Sequence, residues 1–410
     1  MAHRVAIVGA GYAGMAAAVT LAQRNVPLTV FEAGPLAGGR ARRVASRGEA
    51  LDNGQHILSG AYTTLLGLMR VVGVPAEAVL RVPLEIRYAD GFALRALWLP
   101  APLGLLAGLL LARGAPWAER LGAVRFMLRL RATDFRLAAD CTVEELLVRH
   151  AQAGRIGRYL WRPLCVSALN TPPAEASANV FLAVVRDALA RGDEASDLLL
   201  PRVDLTRLFP EPAAEYVRAH GGEIRCAAAV RDLAALRPQH RAVILAVGPH
   251  QLKALAPELA PAYRYQPIYT CYLQYGKQLR LPFPMLGLAD GLVQWVFDRG
   301  ALTGEKGRLA CVISAQGDHQ QMTHEELAAR CHRELAAAFP GLPAPQWSRV
   351  IGEKRATLAC TPGVARPAAE TGIPGLYLAG DYTDSEYPPV LEAAARSGVR
   401  AAERVLAQRG

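Results

Sequence analysis

Three glycines that follow a short apolar run restrict the fold of this chain more than any other feature. The segment RVAIVGAGYAGMAAAVTLAQRNVPLTVFEA reads as a strand over residues 4–8, a turn with Gly9, Gly11 and Gly14, a helix from Gly14 to Arg24, and a strand from Leu28 to Phe31 that runs into Glu32. Gly9 permits the tight turn, Gly11 lets backbone approach a pyrophosphate, and Gly14 allows the helix to pack closely on the strand. The helix opening offers unpaired N–H groups and a positive dipole end to phosphates. Glu32, 18 residues after Gly14, is placed to accept hydrogen bonds from a ribose diol, and its charge repels a 2′-phosphate. Strand, helix and acidic residue in register predict an adenine dinucleotide.

A second α/β pattern lies at the far end, with a strand from Leu376 to Ala379 and a helix from Val390 to Ala407. Between the ends, residues Leu103 to Arg191 read as mostly helical, Tyr265 to Ser314 as β-rich, and EIRCAAAVRDL with RAVILAVGP as two further α/β strands. At 410 residues the chain is long for one domain. The predicted class is α/β: a discontinuous Rossmann-like dinucleotide-binding domain with a parallel sheet, and an inserted α+β substrate domain. The expected boundaries are 1–75, 203–262 and 350–410 for the first, and 76–202 and 263–349 for the second.

Composition removes several function classes. With 52% hydrophobic residues and a net charge of +10 diluted over the chain, disorder is excluded. Only 4 of the 46 basic residues are Lys and no basic run of five occurs, so a nucleic-acid groove is not expected. A basic face toward anionic lipid stays compatible with the charge. Seven cysteines without a C-x-x-C spacing, and no signal-peptide pattern at the N-terminus, predict a reduced, cytoplasmic setting. Ala96 to Ala112 is uncharged, but Pro100 and Pro102 interrupt it, so it reads as a buried helix or a segment dipping into one leaflet rather than a span. No metal site is expected: His319, His324 and His332 lack ligand spacing with Cys331.

Gly38, Gly39 and Arg40 form a second exposed-backbone turn that carries a guanidinium, suited to a pyrophosphate or an isoalloxazine ring. Gly9, Gly11, Gly14, Glu32 and Gly38-Gly39-Arg40, together with GLYLAGDYTDSEYPPVLEAAARSGVRAAERVL at the end, resemble the flavin amine oxidase and phytoene desaturase superfamily. The segments LDNGQHILSGAYTTLLGLM, LCVSALNTPPAEASANVF and SDLLLPRVDLTRLFP are similar to the hydroxysqualene dehydroxylase family within it, a group of squalene-associated FAD enzymes of hopanoid synthesis.

The resemblance implies FAD, with Glu32 on the adenosine ribose, Arg40 near the pyrophosphate and ring, and Val230 offering backbone to adenine. It further implies Gly380 and Asp381 at ribityl or phosphate oxygens, and the helix opening at Val390 aimed at the flavin. Pro388-Pro389 departs from amine oxidases and counts against an amine substrate. By the same resemblance Asn53, Gly54, Gln55 and His56 face the flavin, with His56 as acid, Gln55 beside it and Tyr387 closing the site. Asn170 and Thr171 are a second polar pair, functional or structural. The implied reaction is reductive dehydroxylation of hydroxysqualene to squalene. The alternatives are a carotenoid-type desaturase using oxidised FAD, and a prenyl-binding module without flavin. The implied partners are a polyisoprenoid, the inner membrane face as a peripheral contact, and other squalene-pathway enzymes.

Overall fold

The computed structural model describes residues 4–46, 48–100, 102–187, 194–383 and 385–408. It opens with β1 (Val5–Val8), α1 (Tyr12–Ala22) and β2 (Leu28–Phe31), then β3 (Arg43–Ser46), β4 (Glu49–Asp52), β5 (Leu58–Ser59) and α2 (Thr63–Val71). Next come β6 (Val79–Val82), β7 (Glu85–Arg87) and β8 (Ala93–Arg95), followed by α3 (Leu103–Leu111), α4 (Trp117–Ala132), α5 (Val143–Arg149), α6 (Arg162–Leu169) and α7 (Ala178–Val185). After β9 (Leu198–Pro201) lie α8 (Leu205–Leu208), α9 (Pro210–Ala219), β10 (Glu223–Arg225), α10 (Leu233–Leu236), β11 (Ala242–Leu245) and α11 (Pro249–Leu255). The last third holds β12 (Tyr265–Gln274), β13 (Met285–Gly287), β14 (Trp295–Asp298), α12 (Arg299–Thr303), β15 (Arg308–Ser314), α13 (His324–Ala338), β16 (Trp347–Leu358), β17 (Leu376–Leu378) and α14 (Leu391–Ala407).

The sequence VAIV of β1 has no polar face, so the strand belongs where both sides are covered, and all four residues are buried. It lies at the centre of a parallel sheet ordered β10-β2-β1-β11-β17. The two strands read from EIRCAAAVRDL and RAVILAVGP both join this sheet, but on opposite sides of the β2–β1 pair. Helices α1 and α14 pack together over one face. Their contact residues are small: a Cβ on Gly398 would lie 2.0 Å from the Ala13 carbonyl oxygen, and Ala16, Ala395, Ala401 and Ala402 are all buried.

The second sheet is antiparallel in order β13-β14-β15-β12-β16, with α13 against one face, and residues of α6 and α7 line the cavity described below. Strand β16 pairs along nearly its whole length with β12, from Trp347 opposite Gln274 to Leu358 opposite Tyr265. The expected boundary at residue 350 therefore falls inside a strand of this antiparallel sheet. The reason is that SRVIGEKRATL alternates well enough to be a half-buried strand, and only its pairing shows which sheet owns it. A three-stranded β5-β9-β6 unit, formed from residues far apart in sequence, joins the two halves.

Helix α3 is buried along Gly104, Leu105, Gly108 and Leu109 and open along Leu103 and Leu111. Gly104 and Gly108 let it lie directly on the backbone of residues 95–97; added Cβ atoms would sit 2.3 Å from Leu97 O and 2.4 Å from Arg95 O. No helix among the described residues is long and apolar enough to cross a membrane. Ala101 and residues 188–191, part of the predicted apolar segment and helical stretch, lie outside the described residues, as do Met1 and Gly410 at the outer bounds of the expected cofactor domain.

Candidate active site

The glycine turn is built as its sequence requires. Gly9 has φ +103°, a conformation side chains rarely adopt, and a Cβ on Gly14 would meet Gly9 O at 1.9 Å. The turn is held against the second glycine loop by Gly38 N–H donating to Ala10 O at 2.8 Å. No side chain caps the N-terminus of α1. Its free N–H groups and the bare backbone of Gly9, Gly11, Gly38 and Gly39 line one end of a cavity of about 1300 Å³. Ligand pockets usually measure about 300–1,000 Å³, so this volume suits a cofactor and a long substrate together.

Glu32 closes the loop around this end. One carboxylate oxygen accepts from Ala10 N at 2.8 Å and the other from Gly34 N at 2.7 Å, which fixes the group while leaving lone pairs for hydroxyl donors. Val230 lines the cavity beside Glu32, in the segment tied to the loop by Ala228 N donating to Glu32 O at 2.8 Å. Arg40 and Asp381, expected to act on the cofactor separately, are paired at 2.7 Å, and Arg40 also donates to Ala356 O at 2.5 Å. They span the cavity wall from the glycine loop to the end of β17. Gly380 N donates to Ser397 Oγ at 2.7 Å, anchoring that end to α14.

The opening of α14 also has no side-chain cap, and Val390 and Leu391 line the cavity. Glu392 ties its own helix to α2. Its carboxylate accepts from Thr64 N at 3.0 Å and Leu65 N at 2.8 Å, capping α2, and from Arg396 Nε at 2.6 Å. The Tyr382 hydroxyl, fully buried in the cavity wall beside Asp381, has no partner among the described residues. Bare glycine backbone, two uncapped helix openings and a fixed carboxylate together fit a flavin dinucleotide. Tyr382 escaped the sequence reading although it adjoins Asp381.

At the reacting end, the sequence cluster resolves into separate duties. Asn53 donates to Arg40 O at 2.9 Å, a staple for the glycine loop. Gln55 lines the cavity, and its amide oxygen accepts from Arg299 at 3.0 Å, which fixes the side chain. His56 lies 2.9 Å from Gly54 O through Nδ1, and since a carbonyl only accepts, that nitrogen carries the proton. Burial and the nearby Arg40 hold its pKa below the usual value. The other ring nitrogen, Nε2, is not engaged by that carbonyl, and His56 lines the cavity. Asn170, at φ +46°, donates to Thr357 Oγ1 at 3.0 Å and accepts from Ala315 N at 2.7 Å, and buried Thr171 accepts from Cys360 N at 3.0 Å. That pair is structural.

Tyr387 lines the cavity, and its hydroxyl donates to Asp187, a residue absent from the sequence expectations. Leu84, Leu164, Trp295, Phe297 and Val312 add apolar side chains to the lining, beside Ser167 and Ser314. Among the described residues no group of three or more His, Cys, Asp or Glu is arranged to hold a metal.

With this geometry in hand, comparison with known proteins is informative. The flavin-containing amine oxidoreductase family matches residues 12–406. A hydroxysqualene dehydroxylase from Rhodopseudomonas palustris is 30% identical, covering 99% of this chain and 99% of the relative. The chain belongs to that family, and within it to the hydroxysqualene dehydroxylase group. A zeta-carotene desaturase from a Synechocystis species is 24% identical over 98% of this chain and 97% of its own. An oxidoreductase structure from Methanosarcina mazei superposes with a TM-score of 0.74 at 16% identity, covering 98% of this chain and 100% of that one, which shows the fold. The protein is thus an FAD-dependent oxidoreductase, and the flavin-free binding module is set aside.

Proposed function

We propose that the protein removes the hydroxyl of hydroxysqualene reductively to give squalene. The observation that supports this most is the continuity of one cavity from the glycine turns to a region rich in apolar side chains that also holds the carboxylate–phenol pair Asp187 and Tyr387. FAD, when bound in its fully reduced form, would supply both the hydride that replaces the hydroxyl and the proton with which the hydroxyl leaves as water. The chain's own share is to hold the dinucleotide by Gly9, Gly11, Gly14, Glu32, Gly39, Arg40, Val230, Gly380, Asp381 and the backbone opening at Val390. The apolar wall excludes water and accommodates an isoprenoid chain, which keeps a carbocation from capture by solvent. His56 borders this space, and Tyr387 faces the departing hydroxyl.

Hydroxysqualene and squalene both partition into membranes. Leu97, Trp98, Leu99, Leu103, Leu111 and Trp117 form an exposed apolar surface, with Trp98 at 89% exposure, flanked by exposed Arg95 and Arg113. Ala96, next to this surface, donates its N–H to the carbonyl of Leu84, a cavity residue, at 2.9 Å. This patch is read as a peripheral contact with an anionic inner membrane face, in a cytoplasmic enzyme that exchanges lipid with other squalene-pathway enzymes. Insertion of the patch would bring the apolar end of the cavity next to the lipid phase.

The decisive experiment is anaerobic. Reduced protein is mixed with hydroxysqualene, flavin absorbance is followed, and the lipid is identified. Flavin reoxidation matched mole for mole by squalene is expected. Flavin that stays reduced with the alcohol, while the oxidised protein bleaches with a polyene precursor, would replace this reading with desaturation.

A further inference from the structure

We infer that Asp187 and Tyr387 form the subsite that receives the substrate's hydroxyl, and that they make the enzyme selective for an alcohol over a hydrocarbon. This rests on the proposed alcohol substrate and adds the residues that recognise it. The two side chains come from opposite parts of the fold. Asp187 lies in the helical turn that extends α7, three residues after cavity-lining Val184, and Tyr387 lies in the segment that leads into α14. Each is held in place independently. Asp187 Oδ1 accepts from Arg186 Nε at 2.7 Å, and the same buried guanidinium reaches Glu386 at 2.8 Å. Tyr387 donates its N–H to Ser385 Oγ at 3.0 Å and accepts at its carbonyl from Arg366 at 2.6 Å, while the Arg396 guanidinium covers its ring at 4.5 Å.

The polarity of the pair follows from its hydrogen bond. The Tyr387 proton is given to Asp187, so the phenol oxygen has only lone pairs to offer, and a carboxylate has nothing else. With its proton held by Asp187, the phenol oxygen is the acceptor left for the cavity. An alcohol O–H satisfies it, and a C–H or alkene does not. Arg186 and Arg366 keep the pair from rotating to serve a different partner. Beside the apolar side chains of Leu164, Trp295 and Phe297, such an acceptor fixes where the carbon that bears the hydroxyl comes to rest. A site built to bond a hydroxyl discriminates strongly against the analogue without one.

The test is equilibrium binding to the oxidised holoenzyme, without turnover, read from perturbation of flavin absorbance by detergent-dispersed hydroxysqualene and squalene. Wild type is expected to bind the alcohol more tightly than the hydrocarbon. Tyr387→Phe, which removes one oxygen, is expected to weaken the alcohol by about tenfold and leave squalene unchanged. Asp187→Asn serves as the second variant and should reduce the same ratio. If wild type prefers the alcohol and both variants keep that preference, the subsite is elsewhere while the dehydroxylation reading stands. If wild type itself shows no preference, the alcohol reading fails and this inference with it.

Discussion

Gly398→Ala tests whether helix packing far from the chemistry sets the cofactor site. The new Cβ would lie 2.0 Å from Ala13 O and 2.9 Å from its carbonyl carbon, and the obstacle is backbone that cannot rotate away. Contacts below 3.0 Å are essentially never seen, so α14 must move off α1 by about 1 Å. Overpacking of this kind costs about 1–3 kcal/mol, and the upper half applies because no side chain can give way. The movement is transmitted: seven residues upstream of Gly398, Leu391 opens α14 in the cavity wall, and Ser397 holds Gly380. We expect a lowered melting temperature of the holoenzyme and a weaker FAD dissociation constant by fluorescence titration, with turnover lost by more than the occupancy change. Displacements near 1 Å are known to cost about 100-fold in rate. A variant with wild-type melting and wild-type FAD affinity would show that the α1–α14 contact is soft and refute this chain of reasoning.

Further perturbations address other parts of the structure. Burial raises the Asp52 carboxyl from 3.8 to about 6, against the opposing pull of Arg299. The native state therefore holds that proton more tightly than the unfolded chain, so this group contributes stability below about pH 4 that is lost by about pH 6, on the order of 3 kcal/mol. In Asp52→Asn that component of the pH profile should disappear, and urea midpoints of variant and wild type that run parallel from pH 4 to 7 would contradict it. Glu392→Gln removes the charge that caps α2 and pairs with Arg396, so a loss of about 1.5–3 kcal/mol and faster amide exchange at Thr64 and Leu65 are expected. Replacing Trp98 and Trp117 together by Ser should weaken sedimentation with anionic vesicles by at least about tenfold, since each exposed ring buries comparable apolar area on insertion. Equal sedimentation would remove the patch as a membrane contact.

What could be read from the sequence was whatever is encoded locally. The turn at Gly9, Gly11 and Gly14 fixes its neighbours within a few residues, and the structure places all three where the spacing requires. Long-range pairing was not legible. Residues 347–358 look like a strand wherever they go, and only the register with β12 assigns them to the antiparallel sheet. The same limit governs the site. Arg186 and Asp187 sit in a charged stretch that reads as a solvated helix end, and their partners Glu386 and Tyr387 are two hundred residues away, so burial was invisible. Gln55 and Asn170 were visible as polar residues in apolar surroundings. Their duties as staples depend on Arg299 and Ala315, which no local pattern links to them.

The parallel sheet also governs how the protein is made. Val5 pairs with Ala242, Val243 pairs with Leu376, and the helix that lies against α1 is the last one in the chain. A ribosome therefore extrudes the glycine turn long before any strand exists to flank β1 on its far side, and the final wall arrives only with residues 391–407. Cofactor capture must wait until residues 391–407 have been made, and the emerging apolar strand β1 needs shelter until then. Loss of even the last helix, by a late frameshift or a protease, should leave an apoprotein prone to aggregation rather than a weakened enzyme.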